Sequence, residues 1–466
     1  MSVKDNLRAS KAAWDRKEWG SCWKFANEAL NEDPDSAEAL YLAGCALREI
    51  GNVGMALTCY RRALGLAPGH LNLWMHFAAT LHDVHQWDEA RDAFLMILKR
   101  MPQDAAAMGN IASGYVQQGE PRKAVEWADK SLAIAPGGHI AHIARCFGNL
   151  GLGRWREGWE DAEWLYGHHL LLRVYNPPER EEPTWDGTKG QTVVVQMDQG
   201  IGDHIMFAQC LHELVRDCKQ VIVECEHRMA GFWSRNFPEI IVYPTLGEVN
   251  LEWPARHQID AHVHISFLGR WYRNRDEDFP RKPYLTANPE IVEMWKQHLA
   301  PFQRPWVGVA WQGGLPRTMR HLRSFQIDDL APVMPYAGTL INMSYHDSAR
   351  EVAKWNIAHP EHQVVDPHIK ANDFDNTVAL AAALDEVVTC TTTLAHVCGA
   401  IGRHAYVLVP QAPAWRYQYP CGDGLWWYPE GSVEMIRQVK GETNWSPAIA
   451  RLARKMGAIA ELRKVA

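Results

Sequence analysis

Three stretches of the chain combine glycine, hydroxyl and charged residues in ways that suit phosphate and proton chemistry. The first is Gln199-Gly200-Ile201-Gly202-Asp203, set between a β-branched run and an amphipathic stretch. Glycines there let a backbone approach a ligand, and amides at the start of the following helix favour an anion. Asp203 would project from this loop into a cleft, where a carboxylate can take a proton from a hydroxyl nucleophile. The plainer alternative is a tight turn with Asp203 as helix cap. The second stretch, Thr391-Thr392-Thr393, precedes LAHVCGAIG, with His396 one turn further on. Hydroxyls and free amides at a helix start suit a diphosphate; the alternative is a threonine cap and a core histidine. The third is Trp311-Gln312-Gly313-Gly314 followed by Arg317, Arg320 and Arg323-Ser324. Arginines can neutralise a nucleotide diphosphate or a leaving group, although charge runs are often only solvated loops. Trp415, with Arg416, Trp426 and Trp427, offers rings that could stack on a sugar or base.

These groups need elements to hold them. TVVVQM (192–197) reads as a buried strand, IMFAQCLHELVRDC as a helix and VIVEC (221–225) as the next strand, the start of a doubly wound parallel sheet. The rhythm restarts with WVGVAW (306–311), GTLINMSY (338–345), a helix and strand in DFDNTVALAAALDEVVTC, a turn and helix in TTTLAHVCGAIG, and HAYVLVP (404–410). Two Rossmann-type lobes are therefore expected, separated by the Pro- and Arg-rich region near 270–305. The loop around residue 203 and the turn near 392 should face each other across a gap wide enough for a sugar diphosphate. WSPAIARLARKMGAIAELRKV closes the chain as a helix, with Ser446 as cap and Pro447 in its first turn.

The first third follows another rule. Pro34, Pro68, Pro102 and Pro136 recur every 34 residues. Small residues keep the same step, Ser10, Gly44, Ala78 and Ala112 in one series and Ala56, Ala90 and Ala124 in another, with Tyr60 and Phe94 in register. Paired antiparallel helices approach closely only at small residues, and a proline ends the second helix of each pair. This period resembles the tetratricopeptide (TPR) repeat, so an all-α solenoid is expected over 1–170, with a degenerate fifth unit from about His139 to Tyr166. Residues 171–190 read as a linker. A solenoid of this kind presents a groove for a protein or peptide segment, with Asn72 and Asn110 near groove-lining positions; the alternative is that it serves homodimerisation or props up the next domain.

Composition narrows the partners. The chain of 466 residues carries a net charge of −7, which gives no electrostatic case for nucleic acid or an anionic membrane. No apolar run approaches the roughly 20 residues that cross a bilayer, and the polar N-terminus does not resemble a secretory signal. Ten scattered cysteines without a C-x-x-C pair suit reduced thiols in a cytoplasm. The 22 histidines form short pairs, among them His262 and His264, but none joins a carboxylate or cysteine set with ligand spacing, so no metal is expected.

The ordered blocks EGWEDAEW, PTWDG, VVVQMDQGIGDHIMFAQ, VGVAWQGG…RSF, DFDNTVALAAALD and TTTLAHVCGAIG…VLVPQAPAWRY…WWYP resemble bacterial TPR-containing glycosyltransferases. Their C-terminal part is similar to ADP-heptose:lipopolysaccharide heptosyltransferases. The resemblance implies an α + α/β protein, a TPR solenoid followed by a GT-B-like pair of lobes at 191–300 (acceptor side) and 301–466 (donor side). It implies a metal-independent, inverting transferase using a nucleotide-sugar donor, with Asp203 as acceptor base. Donor contacts would come from Gly200, Gly202, Trp311, Gln312, Arg320, Arg323, Ser324, Thr391, Thr392, Thr393, His396 and Trp415. Thr391 stands where heptosyltransferases carry Asp, and His204 where a small or apolar residue is usual, which points away from heptose. Two other readings fit the same residues: a TPR adaptor whose lobes bind without turnover, or a transferase acting on glycan, lipid or nucleic acid.

Overall fold

The computed structural model describes residues 2–165, 180–197, 200–246, 248, 251–314, 319–369 and 373–465. The chain divides into two compact units, Met1–Leu152 and Gly153–Ala466.

The first unit is a run of antiparallel helix pairs: α1 (Val3–Asp15) with α2 (Trp19–Glu32), α3 (Ala37–Ile50) with α4 (Val53–Leu66), α5 (Leu71–Asp83) with α6 (Trp87–Leu98), and α7 (Ala105–Gln117) with α8 (Pro121–Ile134), followed by α9 (His139–Gly151). Each of the four prolines follows the second helix of its pair. The small-residue series sits where helices touch: Ser10, Ala78, Ala112, Ala56 and Ala124 are fully buried, and Tyr60 and Phe94 fill the space beside them. Gly44 shows why the position must be small, since a Cβ there would lie 2.6 Å from the Tyr60 ring. The repeat also carries polar devices at the same step. Ser2, Ser36, His70 and Asp104 each accept from the backbone N–H three residues on, capping α1, α3, α5 and α7. The Trp74 indole donates to the Pro68 carbonyl at 3.0 Å, and the His142 ring meets the Pro136 carbonyl at 2.8 Å with the same six-residue offset.

The second unit holds two parallel sheets. In the first, β1 (Thr192–Gln196), β2 (Gln220–Glu224), β3 (Ile241–Tyr243) and β4 (Ala261–His264) lie in the order β3-β2-β1-β4. In the second, β5 (Trp306–Ala310), β6 (Thr339–Asn342), β7 (Val364–Val365), β8 (Glu386–Cys390), β9 (Ala405–Val409) and β10 (Val433–Arg437) lie in the order β10-β9-β8-β5-β6-β7. Both orders reverse direction beside their first strand, and such a switch point opens a crevice at the carboxyl ends of the flanking strands. β1, β5, β8 and β9 are buried along their whole length, as parallel strands covered on both faces must be. The expected strands are all present, each within a few residues of its expected ends. β3, β4, β7 and β10 were not foreseen, being short or interrupted by His and Glu.

Two boundaries differ from the sequence reading. The solenoid unit ends at Leu152 and not at 170. The short helix Trp155–Glu160 belongs to the second unit, where the Trp155 indole donates to Asp276 at 2.8 Å and the Trp159 indole to the Arg273 carbonyl at 2.7 Å. The described part of the expected linker is not loose either. Thr184 bridges to His262, the Trp185 N–H donates to the His262 carbonyl at 2.7 Å, and Trp185 is 2% exposed against Trp271. Residues 183–185 thus extend the first sheet beyond β4. The rest of the expected linker, and the end of the fifth repeat, lie outside the described residues.

Gly44→Ala should destabilise the protein by about 1–2 kcal/mol despite the helical gain from alanine, because Tyr60 is enclosed and cannot swing away. Gly65→Ala, in α4 with no atom near its Cβ position, should instead stabilise by up to about 1 kcal/mol. Urea unfolding of the two variants checks the opposite signs.

Candidate functional site

The first lobe delivers Asp203 on the helix Ile201–Phe207, which follows β1. Gly200 is its N-cap in extended backbone, and the Asp203 N–H donates to the Gly200 carbonyl at 2.8 Å. Asp203 is therefore inside the helix and not its cap. Its carboxylate accepts from the Arg416 guanidinium of the second lobe, and both side chains are 19% exposed.

The second lobe builds its part at the β5/β8 switch point. Beyond β5 two hydrogen bonds join the described segments: the Phe325 N–H donates to the Trp311 carbonyl at 3.0 Å, and the Gly313 N–H to Ser324 Oγ at 3.3 Å. Ser324 in turn donates to the Arg320 carbonyl at 2.7 Å. Gly313 packs on the turn after β8, where a Cβ would lie 2.5 Å from the Thr392 methyl. Thr392 caps the helix Thr393–Ile401, accepting from the Leu394 N–H at 3.2 Å, and shares a 3.0 Å hydroxyl contact with Thr389. The Thr391 hydroxyl is buried without a hydrogen-bond partner.

The two turns expected to face each other do meet, but without the expected gap between them. A Cβ on Gly202 would lie 2.9 Å from the His396 ring and 3.5 Å from Thr393 Cα. Only glycine permits this approach of the two helices. The space between Gly202 and His396 is therefore closed to a ligand.

Several expected donor contacts prove to be packing. His396 is 5% exposed, and both ring nitrogens are engaged, Nδ1 with the Tyr428 hydroxyl at 2.6 Å and Nε2 with Tyr417 at 3.0 Å. Burial, aided by Arg416, lowers its pKa to about 3, so the ring is neutral and has no nitrogen left for a phosphate. Trp311 is fully buried in the lobe core, its indole donating to Glu351. Trp415 is 8% exposed, edge-on to Trp159 at 6.0 Å. A large ring is the cheapest filler of a seam between elements, which is why these residues are inside. Gln312 and Thr393 are half-buried at the site, and Arg320 is exposed. Arg317 and Gln199 lie outside the described residues.

Arg323 is the cation the site has built in. Burial holds its pKa below the ordinary guanidinium value, with Arg416 among the neighbours acting in the same direction. Two guanidiniums within electrostatic reach beside a helix N-terminus favour an anion. Tyr417, Tyr428 and Tyr284 were missed by sequence reasoning. Tyr284 donates to the Ile205 carbonyl at 2.8 Å and stacks on Tyr428, so the tyrosines tie the His396 helix to the Asp203 helix. Arg416 lies in the AWRY block, but nothing local marks it as the partner of a residue 213 positions earlier.

In the solenoid, Asn72 is exposed, while Asn110 donates to the Ala106 carbonyl of its own helix at 2.9 Å. Asn110 borders a shallow crevice with His82, Trp87, Tyr115 and Gln118. Among the described residues there is no cluster of three His, Cys, Asp or Glu that could hold a metal. All ten cysteines are free thiols. No described helix is long and apolar enough to cross a membrane.

Comparison with known proteins supports the repeat. A family described as "Anaphase-promoting complex, cyclosome, subunit 3" matches residues 17–97, and one described as "Tetratricopeptide repeat" matches 81–139. The N-terminal region carries TPR repeats. Protein FlbA of Caulobacter vibrioides is 27% identical over 450 residues, covering 90% of this chain and 72% of that protein. Similar solved structures include MamA from Desulfovibrio magneticus RS-1, at 22% identity and TM-score 0.32 over 35% of this chain and 90% of that one. PilF of Pseudomonas aeruginosa aligns at 16% identity and TM-score 0.33, over 37% of this chain and 78% of that one.

The buried neutral His396 makes a pH prediction. Unfolded, the ring takes a proton near pH 6.5; folded, only near 3. Stability from this group is complete above about pH 6.5 and falls as pH drops below it, by up to about 1.4 kcal/mol per unit. Denaturant unfolding at pH 7, 6 and 5 should show a shallower decline for His396→Gln than for the parent protein.

Proposed function

We propose that the second unit is a glycosyltransferase of GT-B type that moves a sugar from a nucleotide-sugar donor to a hydroxyl, with the TPR region docking the protein that carries the acceptor. One observation carries the reading: Asp203 of the first lobe bonds Arg416 of the second, whose electrostatic neighbour Arg323 lies on the loop that packs against the helix start at Thr392. In the proposed step the acceptor hydroxyl gives its proton to Asp203 and its oxygen attacks the anomeric carbon. The bond to the diphosphate breaks with inversion. Charge growing on the diphosphate is met by Arg323, Arg416 and the amide at Thr393. The guanidiniums neutralise it, so the reading invokes no metal.

A second reading has its own support. Arg416 occupies Asp203, and Gly202 closes on His396. That is what an adaptor that has lost turnover would look like.

Release of nucleotide from UDP-, GDP-, ADP- and CMP-linked sugars separates the two. Asp203→Asn should lower the rate at least about 10²-fold at unchanged melting temperature. An unchanged rate removes Asp203 as base. Nucleotide binding without release from any donor establishes the adaptor. Transfer to free glycan or lipid in place of protein relocates the acceptor.

A further inference from the structure

Asp203 cannot act as a base while Arg416 holds its carboxylate, and the geometry of that pair suggests how it is freed. Arg416 follows Trp415, which is wedged between Trp159 and Phe207, so its backbone is fixed at the seam. Its guanidinium centres 5.4 Å from the Trp415 ring and donates across to Asp203. Both partners keep 19% of their side-chain surface, so the pair is reachable from solvent. Arg323 of the second lobe, half-buried like Arg416, is a second cation within its electrostatic reach. Arg416 thus bonds a carboxylate of the first lobe and lies within electrostatic reach of a second cation, Arg323.

We propose that Arg416 is an anion-operated latch: a diphosphate entering beside Arg323 takes over the Arg416 guanidinium, and Asp203 is thereby released to accept the acceptor's proton. This rests on the donor-site reading above and adds an order to it, donor before acceptor. A base held in a salt bridge until the donor arrives does not activate water in an empty site. No covalent step is involved; one charge-assisted hydrogen bond is exchanged for another.

Linkage makes this measurable with inorganic pyrophosphate as probe, on the full chain, by calorimetric titration. If the probe must take Arg416 from Asp203, the parent protein binds at the cost of breaking that pair. Asp203→Asn removes the cost and should bind about 5- to 30-fold more tightly. Arg416→Ala should bind more weakly than the parent. The double variant should match Arg416→Ala, because the gain has no latch to act through. A gain that persists in the Arg416→Ala background would be a through-space effect of removing one negative charge, and overturns the latch. So does an Asp203→Asn variant that binds like the parent, although the donor site then survives. If no variant binds pyrophosphate, latch and donor-site reading fail together. Asp203→Ser replaces Asp203→Asn should the latter lose its parental melting temperature.

Discussion

Where Gly202 lies flat against the His396 ring, two helices from different sheets come within a distance that no other residue would allow. The placement of the site depends on that approach. His396 cannot yield, because Tyr417 and Tyr428 hold its two nitrogens and Tyr428 is itself pressed on Gly399. From the other side Tyr284 holds the Ile205 carbonyl. Asp203, one residue beyond Gly202, therefore inherits its position from a buried aromatic network rather than from a surface loop. Catalytic geometry needs this kind of support, since groups on mobile loops are held too loosely.

The seam between the lobes continues the principle on both flanks. Phe207 meets Trp427 edge-on at 5.2 Å, and the Gln209 amide donates to the Trp427 carbonyl at 2.8 Å. Phe232 meets Phe374 at 5.1 Å, beside a bidentate pair from Arg235 to Asp375 at 2.9 and 2.5 Å. Several tryptophans, some of them expected as sugar platforms, serve packing at this seam or inside one lobe. Trp155, Trp159, Trp185, Trp311 and Trp355 are all buried with their indole N–H bonded to a carbonyl or carboxylate. A ring that fills space and also satisfies its donor is well suited to a seam between parallel sheets.

The solenoid obeys a simpler constraint. Each helix pair must hide a face it cannot hide alone, so small residues, caps and prolines return every 34 residues. That is a local rule, repeated, and it reads directly from the chain.

By itself the sequence determined the repeat, the two parallel sheets and the loops that end at Gly200–Asp203, Gly313 and Thr391–Thr393. Periods of 34 and 3.6 and continuous β-branched runs are properties of neighbouring residues, and glycine and hydroxyl turns mark strand ends wherever they occur. Only the tertiary structure decided which side chains at those loops face a site. His396, Trp311 and Trp415 turned inward because burial of a ring outweighs its exposure. Arg416 became the partner of Asp203 because segments that follow β1 of one sheet and β9 of the other meet at the seam between the lobes. The fifth helix pair was divided for a similar reason: Trp155 and Trp159 find their hydrogen-bond partners in the second unit. Contacts between distant residues depend on the sum of all packing, and no short stretch of sequence contains that sum.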